Sequence, residues 1–174
     1  REIMPDVPMV AVFDTAFHQT MPRKAYLYGV DYKYYEKYKI RRYGFHGTSH
    51  RFVSAEVARM LGRDDLKMVI CHLGNGSSMS AVVNGRCVDT SMGLTPLEGL
   101  LMGTRSGDLD PAIVGTIAER ENLTASEVVT ALNKKSGFIG LSGGLSNDWR
   151  DINAAAKAGD ERGQRTAEVW SYRI

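Results

Sequence analysis

Cysteine is scarce in this chain, and what there is lacks pattern. Only Cys71 and Cys87 occur in 174 residues, without CxxC spacing. That excludes a disulfide-stapled secreted scaffold and a cysteine-based zinc module, and a reducing cytoplasm is the natural expectation. Charge of one sign is also lacking, since the formal net charge is only +2. Neither nucleic acid nor a membrane surface is therefore demanded as a partner. No apolar run approaches the roughly 20 residues that a membrane-spanning helix needs. The opening REIMPDVPMV has no initiator methionine and no basic-then-apolar leader plan, so it reads as the middle of something longer. The closing DERGQRTAEVWSYRI has a helical pattern that ends without Gly, Asn or Pro, as if cut inside a helix.

What is there reads as a globular α/β chain, 43% hydrophobic and 24% charged. Residues 9–14, MVAVFD, are expected as a short buried strand ending at Asp14. Residues 48–62 are expected as a helix capped by Thr48 or Ser49, with Val53, Val57, Met60 and Leu61 on its apolar face and Gly62 as its stop. The run KMVICHLGNGSSMSAVVNGRCVDTSMG then holds two corners, Gly-Asn-Gly and Asn84-Gly85, and predicts a three-stranded meander. Asp110-Pro111 and the TASE box at Thr124 to Glu127 open helices, so the second half is mostly helical. A change of domain is placed near residues 40 to 47.

Three segments carry candidate chemistry. In HLGNGSS, a strand runs into Gly74, Asn75 and Gly76, whose N–H groups can face one anion while Ser77 and Ser78 offer hydroxyls. The bland reading is a plain hairpin turn. GTRSGD holds Arg105 between Gly103 and Gly107, which suits a bidentate grip on phosphate, although a loop arginine is also commonly just solvated. SNDWRD contributes Asp148 and Arg150. The pair His46 and His50 in YGFHGTSH shares a helical spacing, but Gly44 and Gly47 bracket the first, so the two rings are expected to do different jobs.

FDTAFHQTMP, YGFHGTSH, HLGNGSS, TPLEGLLMGTRSGD and SNDWRD stand in one order, and together they resemble the acetate kinase family. The resemblance implies part of an actin-like ATPase (ribonuclease H-like) fold: residues 1–45 as the end of a first domain, and residues 46–174 as the opening meander and helices of a nucleotide-binding second domain. It implies a phosphotransferase with a carboxyl acceptor, moving the γ-phosphoryl group of ATP to acetate, with Mg2+ as cofactor. A homodimer in the cytoplasm with no nucleic-acid partner is implied too. By resemblance, Asp14 is the active-site carboxylate, and His46 and Arg105 stabilise the transition state. His72, Leu73, Gly74, Asn75 and Gly76 form the phosphate loop, and Asp148, Trp149 and Arg150 form a second nucleotide-binding segment. Phe45 and Pro96 line the acyl pocket, and His50 is structural. The family's magnesium-linked asparagine and glutamate, its nucleotide lysine, its acetate-contacting arginine and its GxGEN segment have no counterpart here, which implies that this chain alone is inactive. Propionate or butyrate as acceptor, and a nucleotide-binding role without catalysis, stay open. The tyrosine-rich residues 26–43, with seven of the eight tyrosines, admit single-stranded nucleic acid as a competing reading.

Overall fold

A computed structural model describes residues 2–174. A 3₁₀ helix, Ala16–Thr20, leads into two short helices, α1 (Arg23–Tyr26) and α2 (Lys33–Tyr38). Helix α3 (Gly47–Leu61) then precedes the strands β1 (Lys67–Leu73), β2 (Ser77–Val83) and β3 (Arg86–Thr90). Five helices complete the chain: α4 (Ala112–Glu121), α5 (Ala125–Lys134), α6 (Gly137–Leu141), α7 (Trp149–Lys157) and α8 (Glu161–Arg173).

The meander forms as its corners dictate. The strands are antiparallel in the order β1-β2-β3, with Leu73 opposite Ser77 across the first corner and Val83 opposite Arg86 across the second. Asn84 and Gly85 sit at φ 50° and 72°, the left-handed pair that a two-residue hairpin loop requires. Thr124 and Glu127 close the reciprocal capping box at α5. Asp110 accepts from the Ala112 N–H at 2.9 Å to start α4. Asp148 and Asp160 cap α7 and α8 in the same way. A core of Leu101, Phe138 and Ile152 ties α6, α7 and α8 together, with Trp149 and Trp170 packed against it.

Three expectations need correction. Residues 9–14 form no strand, and Val10, Val12 and Phe13 are 83%, 69% and 71% exposed. A strand must satisfy its N–H and C=O groups against a neighbour, and no strand among the described residues lies alongside this one. Neither Thr48 nor Ser49 caps α3: its N-cap is His46, in the left-handed region, with no side-chain cap bond. The expected apolar face of α3 is also largely open, with Met60 75% and Leu61 60% exposed, while the helix buries Gly47, His50 and Ser54 instead. The face turned to the sheet is the one that carries the second histidine.

Candidate active site

The site is built where the N-terminus of α3 meets the start of β2. Asp14 lies in a turn 32 residues before His46, yet its Oδ2 accepts the His46 N–H at 2.6 Å and its carbonyl accepts the Gly47 N–H at 2.8 Å. A carboxylate at a helix N-terminus is held by the free N–H groups and the helix dipole together. This grip fixes the backbone of His46 at φ 57°, ψ 24°. Non-glycine residues visit that region at a cost of about 1 kcal/mol, and such strain concentrates at functional positions.

All four histidines of the chain gather here. His46 stacks on His72 with ring centroids 4.1 Å apart, and His50 lies 5.8 Å from His18 and 6.3 Å from His72. Ser78 joins two of them, its Oγ 2.9 Å from His46 Nδ1 and 2.8 Å from His50 Nε2. Ser49 Oγ, expected as a cap, instead meets His72 Nδ1 at 2.9 Å. His18 is fully buried between Cys87 Sγ and the Phe45 carbonyl. Neither Ser78 as a partner of His46 nor His18 as a neighbour of His50 stands out in the sequence, because the contacts span tens of residues. The one available signal was that every histidine falls within one of the segments that carry the family resemblance, FDTAFHQTMP, YGFHGTSH or HLGNGSS.

Burial pulls the pKa of His46 below the ordinary imidazole value, with the neighbouring His72 adding to the effect against the opposing Asp14. His50 is pulled further, to about 4, by burial first and then by His18, His72 and His46. Its unfolded counterpart titrates near 6.5, so as pH falls the unfolded chain takes up this proton first. The stability contributed by neutral His50 is thus full above about pH 6.5 and is lost as pH drops towards 4. Urea midpoints at pH 7.5 and pH 5 are expected to fall with acid in the wild type and to fall less in His50→Gln. Equal acid sensitivity in the two would contradict this.

The HLGNGSS corner forms between β1 and β2, but its hydroxyls are not free as expected. The Gly74 N–H is spent on the Gly76 carbonyl at 3.2 Å, Ser77 Oγ donates to the Gly74 carbonyl, and both Ser77 and Ser78 are fully buried. Their hydroxyls therefore do not face an incoming anion. The N–H groups of Asn75 and Gly76 have no protein partner among the described residues. Neither Gly74 nor Gly76 has a positive φ, so flexibility is not what glycine supplies. A Cβ on Gly76 would lie 3.2 Å from the His46 ring and 3.5 Å from Arg105 Nη1, so the missing side chain lets both groups converge on one spot. The Asn75 carbonyl in turn accepts the Gly103 N–H at 3.0 Å, which clips the HLGNG corner to the loop that carries Arg105.

Arg105 is partly buried, and Nη1 makes only long contacts, 3.3 Å to the Pro96 carbonyl and 3.7 Å to Met102 Sδ. No carboxylate among the described residues pairs with it. Phe45 precedes His46, and Pro96 is bonded to Arg105, so each acyl-pocket candidate adjoins one of the two transition-state candidates. Asp148 both caps α7 and chelates the Arg150 guanidinium, which holds its carboxyl at about 2. Trp149 packs against Trp170 with the rings tilted by 40° and their centroids 4.1 Å apart. A cavity of about 430 Å³ is lined jointly by Leu73, Gly74 and Asn75 and by Asp148, Trp149 and Arg150. The two nucleotide-binding candidates therefore share one hollow, of a size that suits a small ligand. An apolar cleft of about 530 Å³ beside Leu109 and Leu132 takes in neither His46 nor Arg105.

The family model described as the Acetokinase family matches residues 1–174. The acetate kinase of Agathobacter rectalis is 65% identical over 176 residues, covering 100% of this chain and 44% of that protein. The acetate kinase of Thermotoga maritima is 62% identical, covering 99% and 43%. A crystal structure of Porphyromonas gingivalis acetate kinase superposes with a TM-score of 0.93 at 46% identity, covering 99% of this chain and 43% of that one. A crystal structure of a propionate kinase from Francisella tularensis gives 0.95 at 46% identity, covering 99% and 44%. The chain thus spans less than half the length of these relatives.

Proposed function

Because the chain belongs to the acetokinase family, we propose that the full-length protein transfers the γ-phosphoryl group of ATP to acetate, reversibly, giving acetyl phosphate and ADP. Its α/β architecture is part of the actin-like ATPase fold that its solved relatives share. We divide it at residue 46, with residues 1–45 closing a first domain and residues 46–174 opening the nucleotide-binding one. The observation that carries the reading is the convergence of His46 and Arg105 beside Gly76, next to the hollow shared by HLGNG and DWR.

Phosphoryl transfer between a nucleotide and a carboxylate asks little covalent chemistry of the protein. It asks for in-line placement and for donors where charge gathers on the equatorial oxygens. Arg105, uncommitted to any carboxylate among the described residues, and the His46 ring supply those donors. The N–H groups of Asn75 and Gly76 meet the nucleotide phosphates, and Trp149 with its neighbours walls the hollow. Acetate is ionised at neutral pH and needs no base, so Asp14 acts by holding the His46 backbone in place. Phe45 and Pro96 border the acyl group. Mg2+ is expected as companion of the nucleotide. Among the described residues no group of three His, Cys, Asp or Glu side chains is placed to hold a metal, so no step is assigned to it. A cytoplasmic homodimer is part of the same proposal for the full-length protein, and the free thiols of Cys71 and Cys87 fit a reducing compartment. No helix among the described residues is long and apolar enough to cross a membrane.

The propionate kinase likeness keeps a longer acyl group as the second reading. Turnover of the full-length protein with ATP, Mg2+ and acetate, propionate or butyrate, with the acyl phosphate trapped as hydroxamate, separates the two. It also separates both from a nucleotide-binding protein without catalysis. The 174-residue chain assayed alongside is expected to make no detectable acyl phosphate, since in-line geometry needs both domains. Turnover within about tenfold of the full-length rate would show that the essential groups all lie within these residues.

A further inference from the structure

Ser78 has one hydroxyl hydrogen and two imidazole nitrogens within reach, His46 Nδ1 at 2.9 Å and His50 Nε2 at 2.8 Å. It sits on β2 opposite His72 and is fully buried, as is His50. Two arrangements satisfy the serine. In the first, His50 donates from Nε2–H to Ser78, and Ser78 donates to His46 Nδ1. In the second, His46 donates from Nδ1–H to Ser78, and Ser78 donates to His50 Nε2.

The other nitrogen of His50 decides between them. His50 Nδ1 is buried without any hydrogen-bond partner among the described residues. In the first arrangement it is a bare acceptor; in the second it carries a proton and becomes a buried donor with nothing to bond. Orphaned buried N–H groups are rarer and costlier than under-satisfied acceptors, so the chain runs from His50 through Ser78 to His46. That direction leaves the single proton of neutral His46 on Nε2, the atom that would lie 3.2 Å from a Cβ on Gly76. The opposite direction would turn a lone pair towards the phosphoryl oxygens and repel them.

We propose that His50 and Ser78 are positioning residues that hold His46 in its Nε2–H tautomer, so that the ring presents a hydrogen-bond donor to the phosphoryl group bound beside Gly76. This deepens the phosphotransfer reading and rests on it. The lowered pKa values of His46 and His50 fit, since both rings are then neutral and the tautomer matters. Ring burial alone would make His50 a packing residue; the shared serine makes it act on His46 as well.

The experiment uses the full-length protein labelled with ¹⁵N-histidine, reading the imidazole nitrogen shifts at neutral pH beside steady-state kinetics. Wild-type His46 is expected to show a protonated Nε2 and a bare Nδ1. Ser78→Ala should give a tautomer mixture at His46 and lower kcat about tenfold, with the nucleotide KM nearly unchanged, the size and pattern expected when an orienting partner is lost. His50→Leu should do the same, whereas His50→Gln, which retains a donor for Ser78, should keep the wild-type tautomer and kcat within about twofold. A proton on His46 Nδ1 in the wild type would overturn the proposal even if neither variant folds. So would an unchanged tautomer and kcat in both Ser78→Ala and His50→Leu. The shifts need no turnover, so a His46 tautomer that follows Ser78 in a protein with no kinase activity would preserve the hydrogen-bond chain and remove only the phosphotransfer reading.

Discussion

Arg105→Ala in the full-length protein is expected to lower kcat by about a hundredfold or more, with a much smaller change in ADP binding. The guanidinium makes only long contacts to the Pro96 carbonyl and Met102 Sδ, and it has no carboxylate partner among the described residues. Its charge is therefore available to a ligand. The loop does not depend on the side chain, because the Arg105 carbonyl accepts the Met102 N–H at 3.1 Å and Gly103 is tied to Asn75. Truncation should leave a folded site without its planar fork. Lysine should rescue poorly, since a point charge cannot span two phosphoryl oxygens as a guanidinium does. Wild-type turnover in Arg105→Ala, measured by hydroxamate trapping, would sink the assignment.

The parts of the fold that were legible are those decided by neighbours in sequence. Asn84-Gly85 specifies its hairpin through two left-handed residues, and Thr124 and Glu127 specify their box through a three-residue spacing, so neither needs the rest of the chain. Residues 9–14 have the composition of a strand, but pairing is a long-range property, and none of the described strands lies beside them. Helix α3 failed in a different way. Its apolar stripe predicts one buried face, yet the helix buries Gly47, His50 and Ser54, which carry little apolar surface.

The candidate site divides similarly. Glycines marked out HLGNG and GTRSGD, and the family resemblance supplied the roles expected of them. Hidden from any local reading was the division of labour among hydroxyls. Ser77 and Ser78 looked like phosphate ligands, and Ser49 looked like a cap. In the fold Ser77 closes its own turn, Ser78 bridges two imidazoles and Ser49 meets His72. A serine is short enough to serve whichever partner tertiary structure brings within 3 Å, so its partner is decided last. Asp14 is legible as an aspartate ending an apolar run, but its engagement with the N-terminus of α3 depends on a contact 32 residues away.

His46 offers the sharpest separation of function from stability. Its backbone is left-handed, a conformation that suits glycine and strains any residue with a Cβ, so the position keeps a side chain against its own local preference. Removing the ring loses the stack on His72 and the bond to Ser78, each worth about 1 kcal/mol, and leaves the backbone bond to Asp14 intact. In the full-length protein both His46→Ala and His46→Gly are therefore expected to fold, and both should lose kcat by about a hundredfold or more, because the donor facing the phosphoryl group is gone. They should differ in stability. Alanine keeps the left-handed strain and glycine relieves it, so the glycine variant should be the more stable of the two by about 1 kcal/mol, against the usual penalty for glycine. Urea unfolding and steady-state kinetics on the same preparations test both halves. If His46→Gly retains turnover, the ring is not the donor. If glycine is instead the less stable variant, the left-handed conformation of His46 is not a strain that the site imposes.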